Sequence, residues 1–120
     1  MYTTEELYPG QKFLIQGVVK NGKSLLRPFL EGLPQADKAQ CSASITKIGD
    51  HGPLHNKEKF RKESPNIYAI KTKNIRIYCF FAGKKLIILT HGFKKNAQGG
   101  KNVQKRELDY AEEIRKQLVS

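Results

Sequence analysis

The sequence is poor in the features that mark several common classes of protein. Its 120 residues contain two cysteines, Cys41 and Cys79, which are too few for a disulfide framework or a structural zinc site. No apolar run approaches the roughly 18 residues of a membrane-spanning helix. Met1 is not followed by a basic stretch and an apolar segment of the secretory type. These absences disfavour membrane and secreted proteins, and we expect a cytoplasmic domain with two reduced, packed thiols.

Acidic residues are missing from one long part of the chain. The sequence has 22 Lys and Arg against 11 Asp and Glu, which gives a formal net charge of +11. The window from Ser64 to Arg106 contains no Asp or Glu but ten Lys or Arg. A surface of one sign repels itself, so this concentration favours a polyanionic partner. We expect that partner to be nucleic acid, with a basic solubilising face as the alternative.

The first half of the chain is predicted to form one strand and two helices. Residues 1–10 are polar and are expected to be a loosely ordered lead-in, whereas apolar residues at 13–19 predict a strand. Ser24 can cap a short helix. A second helix is expected from about Pro34 to Gly49, where glycine is a suitable stop. Two adjacent helices joined by a short connection indicate a helical hairpin.

The second half is predicted to form a sheet followed by a helix. Short turns separate three β-like runs, which favours an antiparallel meander over 66–71, 75–81 and 85–93. Apolar residues between 108 and 118 follow the spacing of an amphipathic helix. The predicted fold class is therefore α+β. We expect a single compact domain over residues 1–120, with a small, mainly antiparallel sheet and the element order β-α-α-β-β-β-α.

The turns of the meander predict which basic residues lie side by side. A two-residue turn at Gly83-Lys84 places glycine where a type II′ turn requires it, and this register sets Arg76 across from His91. If the preceding turn is the two residues Lys73-Asn74, Lys71 lies across from Arg76 as well, and the three cationic or titratable side chains form a row at one end of the sheet. A one-residue change in this turn removes Lys71 from the row but leaves Arg76 and His91 together.

Such a row needs a functional reason, because adjacent cations on neighbouring strands cost stability. Arginine offers a planar fork to phosphate oxygens, lysine a mobile charge, and histidine a group that titrates near neutrality. These groups suit RNA cleavage by internal transesterification, in which a base takes the 2′-OH proton and cations stabilise the phosphorane without a metal. For His91, a hydrogen-bonded histidine at a strand end is an equally good interpretation.

A second group of basic residues precedes the meander. It lies in a polar loop in which Glu58 and Glu63 are interspersed, and its members are Lys57, Lys59, Arg61 and Lys62. This loop is either solvated or in contact with a nucleic-acid backbone.

Four segments carry a resemblance when their order is considered together. They read NIYAIK at 66–71, IRIYCFF at 75–81, LIILTHGFKK at 86–95 and RELDYAEEIR at 106–115. Over roughly residues 25–117 the sequence resembles the RelE/HigB superfamily of bacterial toxins, and most closely its phage-derived HigB-like branch. The resemblance implies a compact RelE-like α+β domain, in agreement with the predicted element order.

The resemblance also implies a function. It indicates the toxin of a type II toxin–antitoxin pair, a ribosome-dependent endoribonuclease that cuts mRNA without a metal or other cofactor. The partner it implies is a helix-turn-helix antitoxin. Arg76 matches the strand arginine of the family, Lys94 and Lys95 match its lysine pair, and Lys71 stands where arginine is usual. Arg76 would stabilise transition-state charge, with Lys71 and Lys95 assisting.

Proton transfer is assigned to His91 as the candidate group, with Tyr110 as a second candidate. The RNA backbone would be held by Lys57, Lys59, Arg61, Lys62 and Lys94. Two alternatives of other classes remain. One is a protein of the same fold that poisons a protein target without cutting RNA, and the other is a decayed toxin or a nonenzymatic nucleic-acid-binding module.

Overall fold

The N-terminal residues form an edge strand. In the computed structural model, which describes residues 1–53, 55–95 and 100–119, strand β1 (Tyr2–Pro9) pairs antiparallel with β2 (Leu14–Lys20). The N-terminal ammonium group donates a hydrogen bond to Oδ1 of Asn21 at 2.8 Å. The prediction of a loose lead-in over residues 1–10 is therefore wrong, because a partner strand later in the sequence orders this polar segment.

The strands form one mixed sheet. Beyond β1 and β2 it contains β3 (Lys23–Ser24), β4 (Phe60–Lys62), β5 (Tyr68–Lys71), β6 (Ile75–Phe81) and β7 (Leu86–Lys94). The strand order is β1-β2-β7-β6-β5-β4, with β3 beside β2. The antiparallel meander of β5, β6 and β7 is confirmed. The parallel pairing of β2 with β7 lies outside the predicted arrangement and joins the two halves of the sheet.

Helices cover both faces of this sheet. The predicted helical hairpin, α1 (Leu26–Glu31) and α2 (Gln35–His51), packs on one face, where Ile48 is fully buried. Helix α3 (Gly100–Val119) packs on the other face through residues that include Ile114. The α+β class is confirmed. In the described residues, however, the element order is β-β-β-α-α-β-β-β-β-α, which has three strands more than predicted.

Helix α2 continues beyond Gly49, where the sequence predicts its end. It stops before Gly52, whose φ of 90° is a conformation that favours glycine. A Cβ atom at Gly49 would come 2.8 Å from the ring of Tyr8. The carbonyl of Gly49 accepts hydrogen bonds from the N–H groups of Lys12 and Phe13, each at 2.9 Å. Glycine is therefore needed at this position for packing against the β1–β2 connection rather than for ending the helix.

The loop between β6 and β7 is longer than a two-residue turn. The N–H of Ala82 donates to the carbonyl of Leu86 at 2.9 Å, so Lys85 belongs to the loop. The carbonyl of Lys85 instead accepts a hydrogen bond from the N–H of Leu14 at 2.8 Å. The register of this hairpin, in which Phe81 lies across from Ile87, therefore differs by one residue from the predicted one.

An irregularity further along the same hairpin shifts its register again. Between Ile77 and Cys79 the pairing slips by one residue, and Arg76 lies across from Phe93. The predicted juxtaposition of Arg76 and His91 is therefore wrong. On the other side of β6 the predicted pairing of Lys71 with Arg76 is confirmed.

Candidate nucleic-acid interface

A basic cleft lies where the β5–β6 turn and the end of β7 meet α2. Its volume is about 720 Å³. One of its lining residues is acidic, Glu58, and six are basic: Lys47, Lys59, Lys71, Lys73, Arg76 and Lys95. The other lining residues are Gln40, Ala43, Ser44 and Thr72. Such an excess of positive charge around a concave surface attracts an anionic ligand.

Arg76 is fixed at the end of the sheet by the backbone around it. Its Nη1 donates to the carbonyl of Thr72 at 2.8 Å and to the carbonyl of Ile75 at 3.0 Å. Burial lowers the pKa of the half-buried Arg76 side chain, and the negative charge of Glu63 opposes this shift. Arginine nevertheless keeps its charge in proteins. The guanidinium group is therefore a charged donor held in place before any ligand arrives.

Lys71 lies directly across from Arg76 and lines the same cleft. Burial lowers the pKa of Lys71, the positive charges of Arg76, Arg61 and Lys95 lower it further, and Glu63 raises it. Within the part of the chain that the structure describes, Lys71, Arg76 and Lys95 form no ion pair with a carboxylate. These cations repel one another, and an anion bound between them would relieve that repulsion.

Helix α2 holds the turn that carries this cluster. The Nδ2 atom of Asn74 donates to Oδ1 of Asp37 at 2.9 Å, and the N–H of Lys73 donates to Oε1 of Gln40 at 3.4 Å. The N–H of Lys95 donates to the carbonyl of Asn74 at 2.8 Å. The position of the lysine pair at the end of β7 thus depends on a turn that is hydrogen-bonded to a helix.

His91 lies outside the cleft, buried beneath α3. The residue is 7% exposed, and its Nε2 atom is 2.9 Å from Oε2 of Glu107. Its Nδ1 atom is 3.1 Å from the hydroxyl of Thr90, and the rings of Tyr78 and Tyr110 pack against it. Burial lowers the pKa of His91, and Glu107 opposes this shift. This environment is that of a hydrogen-bonded histidine in a protein core.

This position corrects the predicted row of Lys71, Arg76 and His91. The shifted register removes His91 from the row, and His91 is absent from the cleft lining. Tyr110 lies on the same side of the sheet as His91, with the two rings 4.9 Å apart. Burial and a hydrogen bond with Tyr2 raise the pKa of Tyr110 to about 12. The structure therefore places neither candidate for proton transfer in the cleft.

The predicted backbone-binding loop contributes Lys59 and Glu58 to the cleft lining. The loop is anchored by Phe60, which is buried and stacks on Tyr68 with the ring centroids 5.3 Å apart. Arg61 is exposed and lies 3.9 Å from a carboxylate oxygen of Glu63. The remaining residues predicted to hold the RNA backbone are exposed and do not line the cleft: Lys57, Lys62 and Lys94.

The chain matches one family of known proteins. Residues 28–116 match the family described as phage derived protein Gp49-like (DUF891). The chain belongs to the Gp49-like family. This family is associated with RelE-like toxins, so the toxin-like part of the sequence interpretation is confirmed, whereas the HigB-like branch stays a prediction. No curated protein matches the chain closely enough to count as a relative.

The Gp49-like segment contains the whole cleft. Every lining residue lies within 28–116, and strands β1, β2 and β3 precede this segment. None of the described helices is both long enough and apolar enough to span a membrane. Among the described residues, no three His, Cys, Asp or Glu side chains come together as a set of metal ligands.

Sequence reasoning missed the α2 wall of the cleft in this Gp49-like chain. This wall consists of Gln40, Ser44 and Lys47, which follow the helical spacing of one face, with Ala43 between them. The helical spacing of these three polar residues was the one signal of this wall that the sequence offered. It does not show which surface the polar face of a helix adjoins, because that depends on how α2 docks on the sheet.

Proposed function

We propose that this Gp49-like protein is the toxin of a type II toxin–antitoxin pair and acts in the cytoplasm. In this proposal it is an endoribonuclease that cuts mRNA on the ribosome without a metal. The single observation that carries the proposal is the basic cleft, in which Lys71, Arg76 and Lys95 have no carboxylate partner among the described residues. The phosphates of RNA would supply the negative charge that the protein itself does not.

The proposed reaction is an internal transesterification at one phosphodiester. The 2′-oxygen attacks the phosphorus atom, the bond from phosphorus to the 5′ oxygen breaks, and the products are a 2′,3′-cyclic phosphate and a 5′-hydroxyl end. Negative charge grows on the non-bridging oxygens in the transition state, where positioned cations are most effective. Arg76 suits this role because the carbonyls of Thr72 and Ile75 already fix its guanidinium group.

Proton transfer requires a titratable group inside the cleft, and Lys71 meets this requirement. Burial and the charge of Arg76 lower the pKa of Lys71, which increases the fraction of free amine that can accept the 2′-OH proton. The ammonium group of Lys95 would donate a proton to the leaving 5′ oxygen. His91 has no part in this scheme because it is buried beneath α3.

The partner in this proposal is a helix-turn-helix antitoxin. The chain belongs to the Gp49-like family, which is toxin-like, and this membership supports an antitoxin as its partner. The test is whether a small helix-turn-helix reading frame adjoins the gene and whether its co-expression relieves growth arrest. A gene with no such neighbour would count against the pair.

The nuclease proposal is tested by mapping mRNA ends in a translating extract. We expect the unmodified protein to produce cuts at codons in the ribosomal A site, and to produce none in purified mRNA without ribosomes. Arg76→Ala should lower the cleavage rate by about 100-fold or more, as is typical when a transition-state donor is removed. Arg106→Ala is the matched control, because Arg106 is exposed on α3 and does not line the cleft.

Two outcomes would overturn the nuclease proposal. Growth arrest with intact mRNA would favour a protein of this fold that binds a protein target. Neither arrest nor cleavage would favour a decayed toxin or a nucleic-acid-binding module. Equal loss of cleavage in Arg76→Ala and Arg106→Ala would show that the cleft is not the site of the reaction.

A further inference from the structure

The cleft has two walls built from different elements. The sheet wall carries Arg76 and Lys71 on paired strands, whereas the α2 wall carries Gln40, Ser44 and Lys47 on one helical face. The scheme for cleavage uses only the sheet wall. The α2 wall therefore has groups for which the reaction at the phosphate gives no role.

The charge of the cleft exceeds what one phosphodiester can neutralise. Six basic residues and one acidic residue line it, whereas a phosphodiester carries a single negative charge. The like charges that lower the pKa of Lys71 come from Arg76, Arg61 and Lys95, which lie on strands of the sheet or directly after one. Lys47 stands on the helix as a separate positive charge. A ligand with two phosphates can pair with both walls.

The neutral residues of the α2 wall have hydrogen-bonding groups that suit a nucleotide. The hydroxyl of Ser44 can both donate and accept, and the amide of Gln40 carries a donor group in addition to its oxygen. The oxygen of Gln40 already accepts from the N–H of Lys73 at 3.4 Å, which leaves its NH₂ group as the donor for a ligand. Single-stranded RNA exposes base edges and 2′-hydroxyl groups to such contacts.

We infer that the α2 wall is a subsite for the nucleotide next to the scissile phosphate in single-stranded RNA. Lys47 pairs with the phosphate of that nucleotide, and Ser44 and Gln40 bond to its base or ribose. This inference rests on the proposed function and deepens it, because it assigns Lys47 and Ser44 to substrate choice and Arg76 to the chemical step. The subsite selects which linkage is cut without taking part in breaking it.

Binding of uncleavable RNA tests the subsite separately from the reaction. The probes are 2′-O-methyl oligonucleotides, a dinucleotide with one phosphodiester and a trinucleotide with two, titrated at several salt concentrations. We expect Lys47→Gln to weaken trinucleotide binding roughly tenfold, as for loss of one charged hydrogen bond, and to lower its salt slope by about 0.7. Binding of the dinucleotide should change little.

Lys38→Gln is the matched control, because Lys38 lies on α2 about two and a half turns away and does not line the cleft. It should leave both probes unaffected. Equal effects of Lys47→Gln and Lys38→Gln, or no binding of the trinucleotide by the unmodified protein, would overturn the subsite. So would competition for the cleft by an acidic peptide but not by RNA, which would indicate a protein ligand.

Cut-site mapping supplies a second readout. Ser44→Ala should change the nucleotide preference beside the cut in a translating extract, and should lower total cleavage much less than Arg76→Ala does. An unchanged preference in both Ser44→Ala and Lys47→Gln would contradict the inference even if Arg76→Ala abolishes cleavage. In that case the proposed nuclease would stand and the subsite would not.

Discussion

The Nε2 atom of His91 lies 2.9 Å from Oε2 of Glu107, which joins the end of β7 to α3 in a buried position. The hydroxyl of Thr90 donates to the carbonyl of Tyr78 at 3.2 Å, so its oxygen accepts from Nδ1 of His91. Nε2 and the carboxylate can then form a hydrogen bond only when one of them carries a proton. The docking of α3 is thus tied to a titratable pair rather than to the proposed reaction.

The burial of His91 predicts that acid destabilises the fold. Burial holds the pKa of His91 below its ordinary value of about 6.5, which applies in the unfolded chain. As pH falls below about 6.5, the unfolded chain binds the proton before the folded chain does, so the free energy of unfolding decreases until the folded-state pKa is passed. We expect urea unfolding between pH 5 and 8 to show this slope, and His91→Gln to reduce it.

His55→Gln is the control for the acid effect, because His55 is exposed. It should leave the pH dependence unchanged. Glu107→Gln removes the carboxylate that raises the pKa of His91, so the His91 resonance in a proton NMR titration should move to a still lower pH. A His91 resonance that titrates above 6.5 would contradict the prediction.

Lys71 is expected to lower stability while it supports activity. Its positive charge lies across the strand pair from Arg76, and like charges in this position are destabilising. Lys71→Gln should therefore raise the urea midpoint and lower the cleavage rate. Lys84→Gln is the control, because Lys84 is exposed in the β6–β7 loop and outside the cleft, and should change neither. A Lys71→Gln variant with a lower urea midpoint and an unchanged cleavage rate would contradict this prediction.

The pH dependence of cleavage tests the role of Lys71 as the base. A base must be free of its proton, so the rate should rise with pH toward the pKa of Lys71, which burial and Arg76 hold below its ordinary value. In Lys71→Arg the group stays protonated at any accessible pH, and this rising limb should be lost. Single-turnover rates between pH 6 and 9.5 measure it. A limb retained in Lys71→Arg would assign the proton transfer to another group.

Local patterns predicted those parts of the fold that local residues determine. The Lys73-Asn74 turn determined the pairing of Lys71 with Arg76, and the meander and the hairpin of α1 and α2 also followed from turns and periodicity. The strand at 2–9 and the parallel pairing of β2 with β7 depend on residues far apart in sequence. Turns and periodicity within a short stretch of sequence do not predict such pairings.

The candidate site was predictable to the same extent. The sheet wall of the cleft, which contains Arg76, follows from the two-residue turn at Lys73-Asn74, one of the turn lengths that the sequence allows. The position of His91 depends on a longer β6–β7 loop and on a register slip between Ile77 and Cys79. Lys47 reaches the cleft because of how α2 docks. The sequence thus shows which residues have suitable chemistry more readily than it shows which residues lie beside them in the folded protein.

The backbones at Gly10 and Gly49 lie very close together, so we expect a side chain at Gly10 to lower the free energy of unfolding strongly. A Cβ atom at Gly10 would lie 2.3 Å from the carbonyl carbon of Gly49, which cannot move without displacing α2. Gly10→Ala should cost about 1–3 kcal/mol or more, as overpacking does. Gly32→Ala is the control, because the nearest atom to its Cβ is 3.5 Å away and its φ is −82°. Urea unfolding compares them, and equal stability of the two variants would contradict the packing.

The hydrogen bond between Asn74 and Asp37 predicts an effect on cleavage larger than its effect on stability. The bond is exposed, so its loss in Asp37→Ala should cost no more than about 1.5 kcal/mol. The same turn holds the N–H of Lys95 through the carbonyl of Asn74, so a looser turn displaces a cation that acts on the phosphate. We expect the single-turnover rate to fall several-fold in Asp37→Ala and to recover in Asp37→Asn, whose amide oxygen still accepts the bond.

Asp109→Ala is the control for this prediction. It removes an exposed carboxylate of α3 that lies near Lys105, and it should leave the rate unchanged. A rate that falls equally in Asp37→Ala and Asp37→Asn would show that the charge of Asp37, rather than its hydrogen bond, matters to the cleft.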